Sequence, residues 1–328
     1  MENVSLQYKK FGKPSDVVQL VQSELRLLKM NEIKIAMNRV SVNPSDLIPI
    51  TGAYAHRTPL PAIVGYEGFG VVLETSSKSL DWLVGKRVLP LGGETWQKFL
   101  ITQREQIIVL PSELSDNQAC QIYINPLTAW VLCRQFMNLK KETVLLVNAA
   151  NSAVGKLLLQ FANLSGAKFL GVVRNEQARK QLYELGATHV INSSQENVFE
   201  RVADLTNGEG VDYAIDSIGG YQGTILATCV KTAGSFYLLG LLSGQQIDWS
   251  CVAKLPIQTK IFHLRHWLEQ ATLSQKEQAF QKLFSMVTKR QLILASFDKV
   301  SPYTDFYKVL KNIEMKGVQG KQCMLFTT

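Results

Sequence analysis

"TVLLVNAANSAVGKLLLQFANLSGAKFLGVVR", Thr143 to Arg174, decides the fold. Four consecutive apolar residues, Val144 to Val147, are too few for a helix and suit a strand covered on both faces. A turn of small residues follows. "SAVGKLLLQFANLSG" then carries apolar residues at helical spacing and closes on a glycine, and "KFLGVVR" reads as a second buried strand. Strand, helix and strand in this order form a βαβ unit. The pattern continues downstream. "QARKQLYELGA", "VFERVADLTNGEG" and "TILATCVKTAG" read as helices, and "THVIN", "VDYAIDSI" and "SFYLLGLL" as strands. "LPIQTKIFHL" adds a sixth strand and "KEQAFQKLFSMVTKRQ" a closing helix, so this part is predicted to be a doubly wound parallel sheet.

Upstream the texture differs. The first 110 or so residues alternate short β-rich runs ("EIKIAM", "GFGVVLE", "KRVLPL", "QIIVLP") with Gly and Pro, which predicts a compact strand-rich domain. The tail from "FDKVSPYTDF" holds one helix and a last strand that return to it. With 328 residues the chain exceeds one ordinary core. The expected organisation is α/β, with residues 1–118 and 296–328 forming the strand-rich domain and 119–295 the nucleotide-binding domain.

The turn "VNAANSAVGK" runs from Val147 to Lys156. Against G-x-G-x-x-G its three positions are Ala150, Ser152 and Gly155, so the spelling is weak. The setting is stronger, because a buried strand precedes it, a helix opens from it, and small residues stand where backbone approaches a pyrophosphate at a helix N-terminus. Asn151, Ser152, Ala153, Val154 and Gly155 are the candidate cofactor contacts. A tight turn without a ligand is the other reading. Arg174 stands where an NAD site usually carries Asp or Glu. A guanidinium suits a 2′-phosphate, which points to NADPH; a solvated strand-end arginine is the alternative.

Composition narrows the class. Hydrophobic residues make up 46% and charged residues 19%, and no apolar run approaches membrane-spanning length, so no membrane partner is expected. The formal charge of +8 is dispersed without a stacking module, which argues against nucleic acid. No targeting segment is recognised at the start, and the expected compartment is the cytoplasm. Five cysteines, far apart and odd in number, suggest buried thiols rather than disulfides or zinc.

The order of these two domains resembles the medium-chain dehydrogenase/reductase superfamily, with a GroES-like catalytic domain and a Rossmann cofactor domain. Its zinc enzymes carry G-H-E; this chain reads Gly65-Tyr66-Glu67 in "GYEGFG", and its four histidines have no cysteine partners at zinc-like spacing, so no metal is expected. "NPSDLIPITGAY" with "PLPAIVGYEGFG", "ETWQKF", "NPLTAW", "NAANSAVGK", "VVR", "LGATHVIN" and "IFHLRHW" together resemble the zinc-free 2-enoyl thioester reductases, with several pieces shared by the related quinone reductases. The resemblance implies an NADPH-dependent reductase in which Tyr54 donates a proton to the α-carbon. A phenol holds its proton at neutral pH, as such a donor must. Tyr54 packed on "PLP" with its hydroxyl in water is the plain alternative.

The same resemblance implies other roles. Asn43 is placed beside Tyr54 or the cofactor amide, or is simply a turn starter. Asn125 and Thr128 are placed near the nicotinamide, or as a helix cap. Leu239 and Gly240, leading into Leu241 and Leu242, and Phe262, His263 and Leu264 border the nicotinamide. Lys321 is a distant cofactor contact or a solvated lysine. Two departures bear on the acyl pocket: His263 follows Phe262 where those reductases have Trp, and Glu94 replaces the glycine of "GTW".

Three activities remain open on the sequence. They are an enoyl thioester reductase, an NADPH:quinone oxidoreductase that needs no proton-donating tyrosine, and an NADPH-binding sensor or scaffold without catalysis. The partner is a small molecule in the first two. The apolar "SFYLLGLLSG" reads as a sheet edge through which two copies pair, predicting a homodimer.

Overall fold

The computed structural model describes residues 2–316 and 320–326. The chain divides into two compact units, Met1–Ile124 with Thr272–Thr328, and Asn125–Ala271.

The second unit is the parallel sheet expected from its apolar runs. Its six strands lie in the order His189–Asn192, Lys168–Val173, Val144–Val147, Val211–Asp216, Val230–Leu238 and Gln258–Ile261, all parallel. Helices Ala153–Ser165, Glu176–Glu184, Val198–Leu205 and Gly220–Thr228 make the crossovers. Leu146, Leu170, Ile191, Ala214 and Phe236 bury their side chains in one core with Val202 and Leu226 from these helices. Three of these four helices are capped by a side chain at their start, while Gly220–Thr228 begins after Gly219 without one. Ser152, Asn175 and Asn197 accept backbone N–H bonds from the first turn.

Two expectations are corrected here. Val230 to Gly234 belong to a strand rather than the preceding helix, because Val230 pairs with Val211 and the chain bulges through Ala233 at φ 64°. The strand ending in Leu238 is interior, flanked by Val211–Asp216 and Gln258–Ile261, so "SFYLLGLLSG" is not the sheet edge. One true edge is Gln258–Ile261, whose Ile261 is 72% exposed. At the other edge, His189–Asn192, two backbone donors are taken by side chains of the same unit. Val190 N–H donates to Tyr183 Oη (3.2 Å) and Asn192 N–H to Glu196 Oε1 (2.8 Å).

The first unit is strand-rich, as predicted. A seven-stranded sheet runs Phe297–Pro302, Lys321–Leu325, Glu32–Val42, Gly68–Thr75, Arg87–Pro90 and Ile107–Val109, with Phe99–Gln103 also paired to Glu32–Val42. The tail therefore does rejoin this sheet: Cys323 faces Ser41 and Leu325 faces Arg39. A second sheet of Val18–Glu24, Glu2–Tyr8 and Ala62–Ile63 was not foreseen from the sequence. Residues 272–295 pack with this unit although the sequence reading grouped them with the nucleotide half. The reason is the apolar face of helix Leu273–Thr288, whose Phe280 ring lies 5.9 Å from that of Tyr123, while Glu277 pairs with Arg104 at 3.2 Å. Among the described residues, no helix is long and apolar enough to cross a membrane.

Candidate active site

In the first unit the site residues sit on the irregular chain between Glu32–Val42 and Gly68–Thr75. Proline at the first helical position starts the short helix Pro44–Leu47 and the 3-10 turn Pro49–Thr51. Gly52 then takes φ 91°, a left-handed conformation that glycine adopts without strain, and the chain reverses. Tyr54 caps the next 3-10 turn, Ala55–Arg57, and its carbonyl accepts from Arg57 N–H (3.0 Å) and Thr58 Oγ1 (2.9 Å). The Tyr54 side chain is half-buried, and the Arg57 guanidinium carbon lies 4.0 Å from its ring centroid.

Tyr66, standing in place of the motif histidine, is 38% exposed. Burial first, and then the Asp46 carboxyl, push its phenol up to about 12, while the Arg57 charge opposes the rise. Tyr66 is thus protonated at neutral pH. Gly65 before it is fixed twice over: its φ is 102°, and a Cβ there would lie 2.1 Å from the Trp96 ring.

Beneath this loop lies a buried polar cluster that the sequence did not reveal. Glu67 is 0% exposed. Its Oε1 accepts from Tyr123 N–H (2.9 Å) and Ile124 N–H (2.8 Å), and its Oε2 from Asn43 Nδ2 (2.9 Å). Lys321 is 5% exposed, donates to Asn43 Oδ1 at 2.5 Å, and lies 3.7 Å from Glu67 Oε2. The solvated alternative for Lys321 is therefore overturned, and Asn43 is more than a turn starter. Asp46 accepts from Asn43 N–H (2.7 Å) and Tyr66 N–H (2.8 Å). Burial raises its carboxyl to about 7; those two bonds and the Lys321 charge oppose the rise, and the Glu67 charge adds to it.

In the second unit the turn after Val147 carries the features a dinucleotide needs. Ala149 takes φ 47°, and Ser152 Oγ accepts from Gly155 N–H at 3.1 Å to open a 13-residue helix. A Cβ on Gly155 would lie 2.4 Å from the Ala150 carbonyl oxygen, so only glycine permits this approach of helix to turn. Asn151 Oδ1 is buried without a hydrogen-bond partner among the described residues. Ala153 and Val154 form the first turn of the helix, and the exposed Arg174 directly follows the neighbouring strand. An orphaned acceptor, a backbone approach that a side chain would fill, and a strand-end guanidinium together fit a phosphorylated dinucleotide.

Asp216 and Asn148 were missed by sequence reasoning. Asp216 is fully buried, accepts from Asn148 Nδ2 (2.5 Å) and from the N–H groups of Ile218 (3.0 Å) and Gly219 (3.0 Å), and its backbone oxygen takes Leu239 N–H (2.8 Å). The acid that closes the strand "VDYAID" directly after the apolar Ala214 and Ile215 was the available signal. This pair fixes the segment carrying Leu239 and Gly240. Phe262 is buried with its ring edge-on to Phe136 at 5.5 Å. His263 caps the helix Leu264–Gln270, its Nδ1 accepting from Arg265 N–H at 3.2 Å. Asn125 and the buried Thr128 lie on the helix Ile124–Val131.

Residues 29–108 match the family model of the alcohol dehydrogenase GroES-like domain, and residues 153–289 that of the zinc-binding dehydrogenase. A Bacillus thuringiensis protein, provisionally assigned as an NADPH:quinone reductase, is 40% identical, with 99% of each chain covered and a TM-score of 0.94. The chain belongs to the medium-chain dehydrogenase/reductase superfamily. As a member of that superfamily it is an oxidoreductase. It is 27% identical to the mitochondrial enoyl-[acyl-carrier-protein] reductase of Arabidopsis thaliana, over 97% of this chain and 87% of the relative. The Homo sapiens enzyme of the same name is 26% identical over 98% and 88%. Escherichia coli quinone oxidoreductase, solved with NADPH, shares the fold at 23% identity and a TM-score of 0.87, covering 98% of this chain and 99% of that one. Among the described residues of this dehydrogenase/reductase, no group of three or more His, Cys, Asp or Glu could hold a metal ion.

Proposed function

We propose that this oxidoreductase uses NADPH to reduce the carbon–carbon double bond of 2-enoyl thioesters, with Tyr54 as the proton donor. The observation that carries this reading is the half-buried Tyr54 phenol, held on a 3-10 turn with a guanidinium over its ring. The enoyl-[acyl-carrier-protein] reductases among its relatives support the substrate class. Bound NADPH supplies the hydride that reaches the β-carbon. Asn151, Ser152, Ala153, Val154 and Gly155 receive its pyrophosphate, and Arg174 its 2′-phosphate. Leu239, Gly240, Phe262, His263, Leu264, Asn125 and Thr128 border its nicotinamide. Charge then develops on the thioester oxygen, and Tyr54 Oη gives its proton to the α-carbon. The phenolate left behind recovers a proton from water, which a half-buried side chain can reach. Lys321 is the distant cofactor-side residue, its ammonium bonded to Asn43.

A second reading, NADPH:quinone reduction, is favoured by the 40% identical Bacillus thuringiensis protein. The experiment that separates the readings is NADPH oxidation by the purified protein with crotonyl-coenzyme A, a medium-chain 2-enoyl thioester and a benzoquinone. Thioester turnover is the expected result. Turnover of the quinone alone supports the second reading, and oxidation with no acceptor leaves an NADPH-binding protein without catalysis.

Arg174→Ala is expected to raise the Kd for NADPH at least about tenfold and to leave NADH binding nearly unchanged, since only the 2′-phosphate is lost as a partner. Fluorescence titration with both cofactors checks this, and equal losses for the two would remove Arg174 from the site.

We also propose a homodimer, paired through the exposed edge Gln258–Ile261 rather than through the strand before it. A monomer mass by light scattering at micromolar concentration would exclude it.

A further inference from the structure

We propose that Arg57 is a positioning residue that acts through Tyr54, holding its ring and stabilising the phenolate formed when the proton leaves. The inference rests on the reading of Tyr54 as proton donor. Tyr54 and Arg57 are three residues apart around a 3-10 turn, the geometry in which side chains at i and i+3 eclipse. The turn is closed by the bonds from Arg57 N–H and Thr58 Oγ1 to the Tyr54 carbonyl, which bring the two side chains to the same side of the turn. The guanidinium carbon is 4.0 Å from the ring centroid. A charge over the face lies within about 7 Å of the phenol oxygen, inside the screening length of about 8 Å at physiological ionic strength.

Arginine suits this task better than lysine, because its planar, weakly hydrated cation can lie on an aromatic face and keep its charge. Before the reaction the cation lies over the ring of a phenol that still holds its proton. Once the proton has moved to the α-carbon, the same cation faces a full negative charge. The interaction therefore strengthens toward the transition state, and this is the kind that raises kcat rather than lowering KM. His56 and Arg57 were visible in the sequence as two basic side chains beside Tyr54; only Arg57 has the i+3 spacing.

The test is a double-mutant cycle on thioester reduction, run on variants whose thermal melts match the wild type. Arg57→Gln is expected to lower kcat about tenfold with KM changed less than about twofold, and Arg57→Lys to recover part of the loss. In the Tyr54→Phe background, Arg57→Gln should cost nothing further. Added guanidinium ion should partly rescue Arg57→Ala and not the double variant. An equal loss with and without the Tyr54 hydroxyl, or a loss confined to KM, overturns the proposal. Failure of Tyr54→Phe itself to slow the thioester reaction would instead overturn the parent reading, so the two failures are distinguishable.

Discussion

Tyr54→Phe is expected to lower kcat for crotonyl-coenzyme A about 10²- to 10³-fold, within the range that a positioned general acid contributes. The substitution keeps the ring under the Arg57 guanidinium and removes the hydroxyl that carries the proton. KM should change little, since the hydroxyl contributes mainly as charge develops on the substrate. Residual turnover would take its α-proton from water. Benzoquinone reduction, which asks for no carbon protonation, should be nearly indifferent. NADPH oxidation followed for both acceptors gives the ratio directly. A Tyr54→Phe enzyme that reduces thioesters at the wild-type rate would return this residue to a packed loop position and leave quinone reduction as the better reading.

Lys321→Met is expected to destabilise the strand-rich unit by about 3–5 kcal/mol, as removal of one partner from a buried ion pair does. The melting temperature should fall by about 10 °C. Glu67 would keep Tyr123 N–H, Ile124 N–H and Asn43 Nδ2 as donors but lose the only cation beside it in the buried cluster. Adding Glu67→Gln should recover most of the loss. With Lys321 gone, the Asn43 amide can turn its oxygen to the new NH2 group, leaving neutral groups with partners. A double variant no better than the single would mean that lysine packing, not charge, holds the cluster.

The pH dependence supplies a second readout for this variant. The folded-state pKa of Asp46, about 7, lies above the unfolded value of about 3.9. Its contribution to stability is therefore complete below about pH 4 and is lost as pH rises through about 7. The Lys321 charge holds that carboxyl down, so in Lys321→Met the decline should extend to higher pH.

The parallel sheet was legible because its strands are uninterrupted apolar runs and its helices carry cap residues such as Ser152 and Asn175 at their starts. The hairpin Glu2–Tyr8 with Val18–Glu24 was not, because "VQLVQSE" exposes most of its side chains and carries no strong pattern. Val230 to Gly234 looked helical because the strand there is set by pairing with Val211, a tertiary fact. The same limit applies to the site. Gly155 and Arg174 could be singled out from local context, and Tyr54 through the family resemblance. The Glu67 cluster could not, since Asn43 bonds residues 24 and 278 positions away along the chain.

The two edges of the parallel sheet differ in a way that bears on solubility. At His189–Asn192, Tyr183 and Glu196 already take the N–H groups of Val190 and Asn192, donors that an incoming strand would otherwise engage. Of this sheet's two edges, among the described residues, Gln258–Ile261 is the one left for strand addition. In the proposed pair, joined there, each copy uses the open edge of its parallel sheet on the other. On that proposal the capped edge keeps this one sheet from being extended from copy to copy, so that strand addition through it stops at a closed pair.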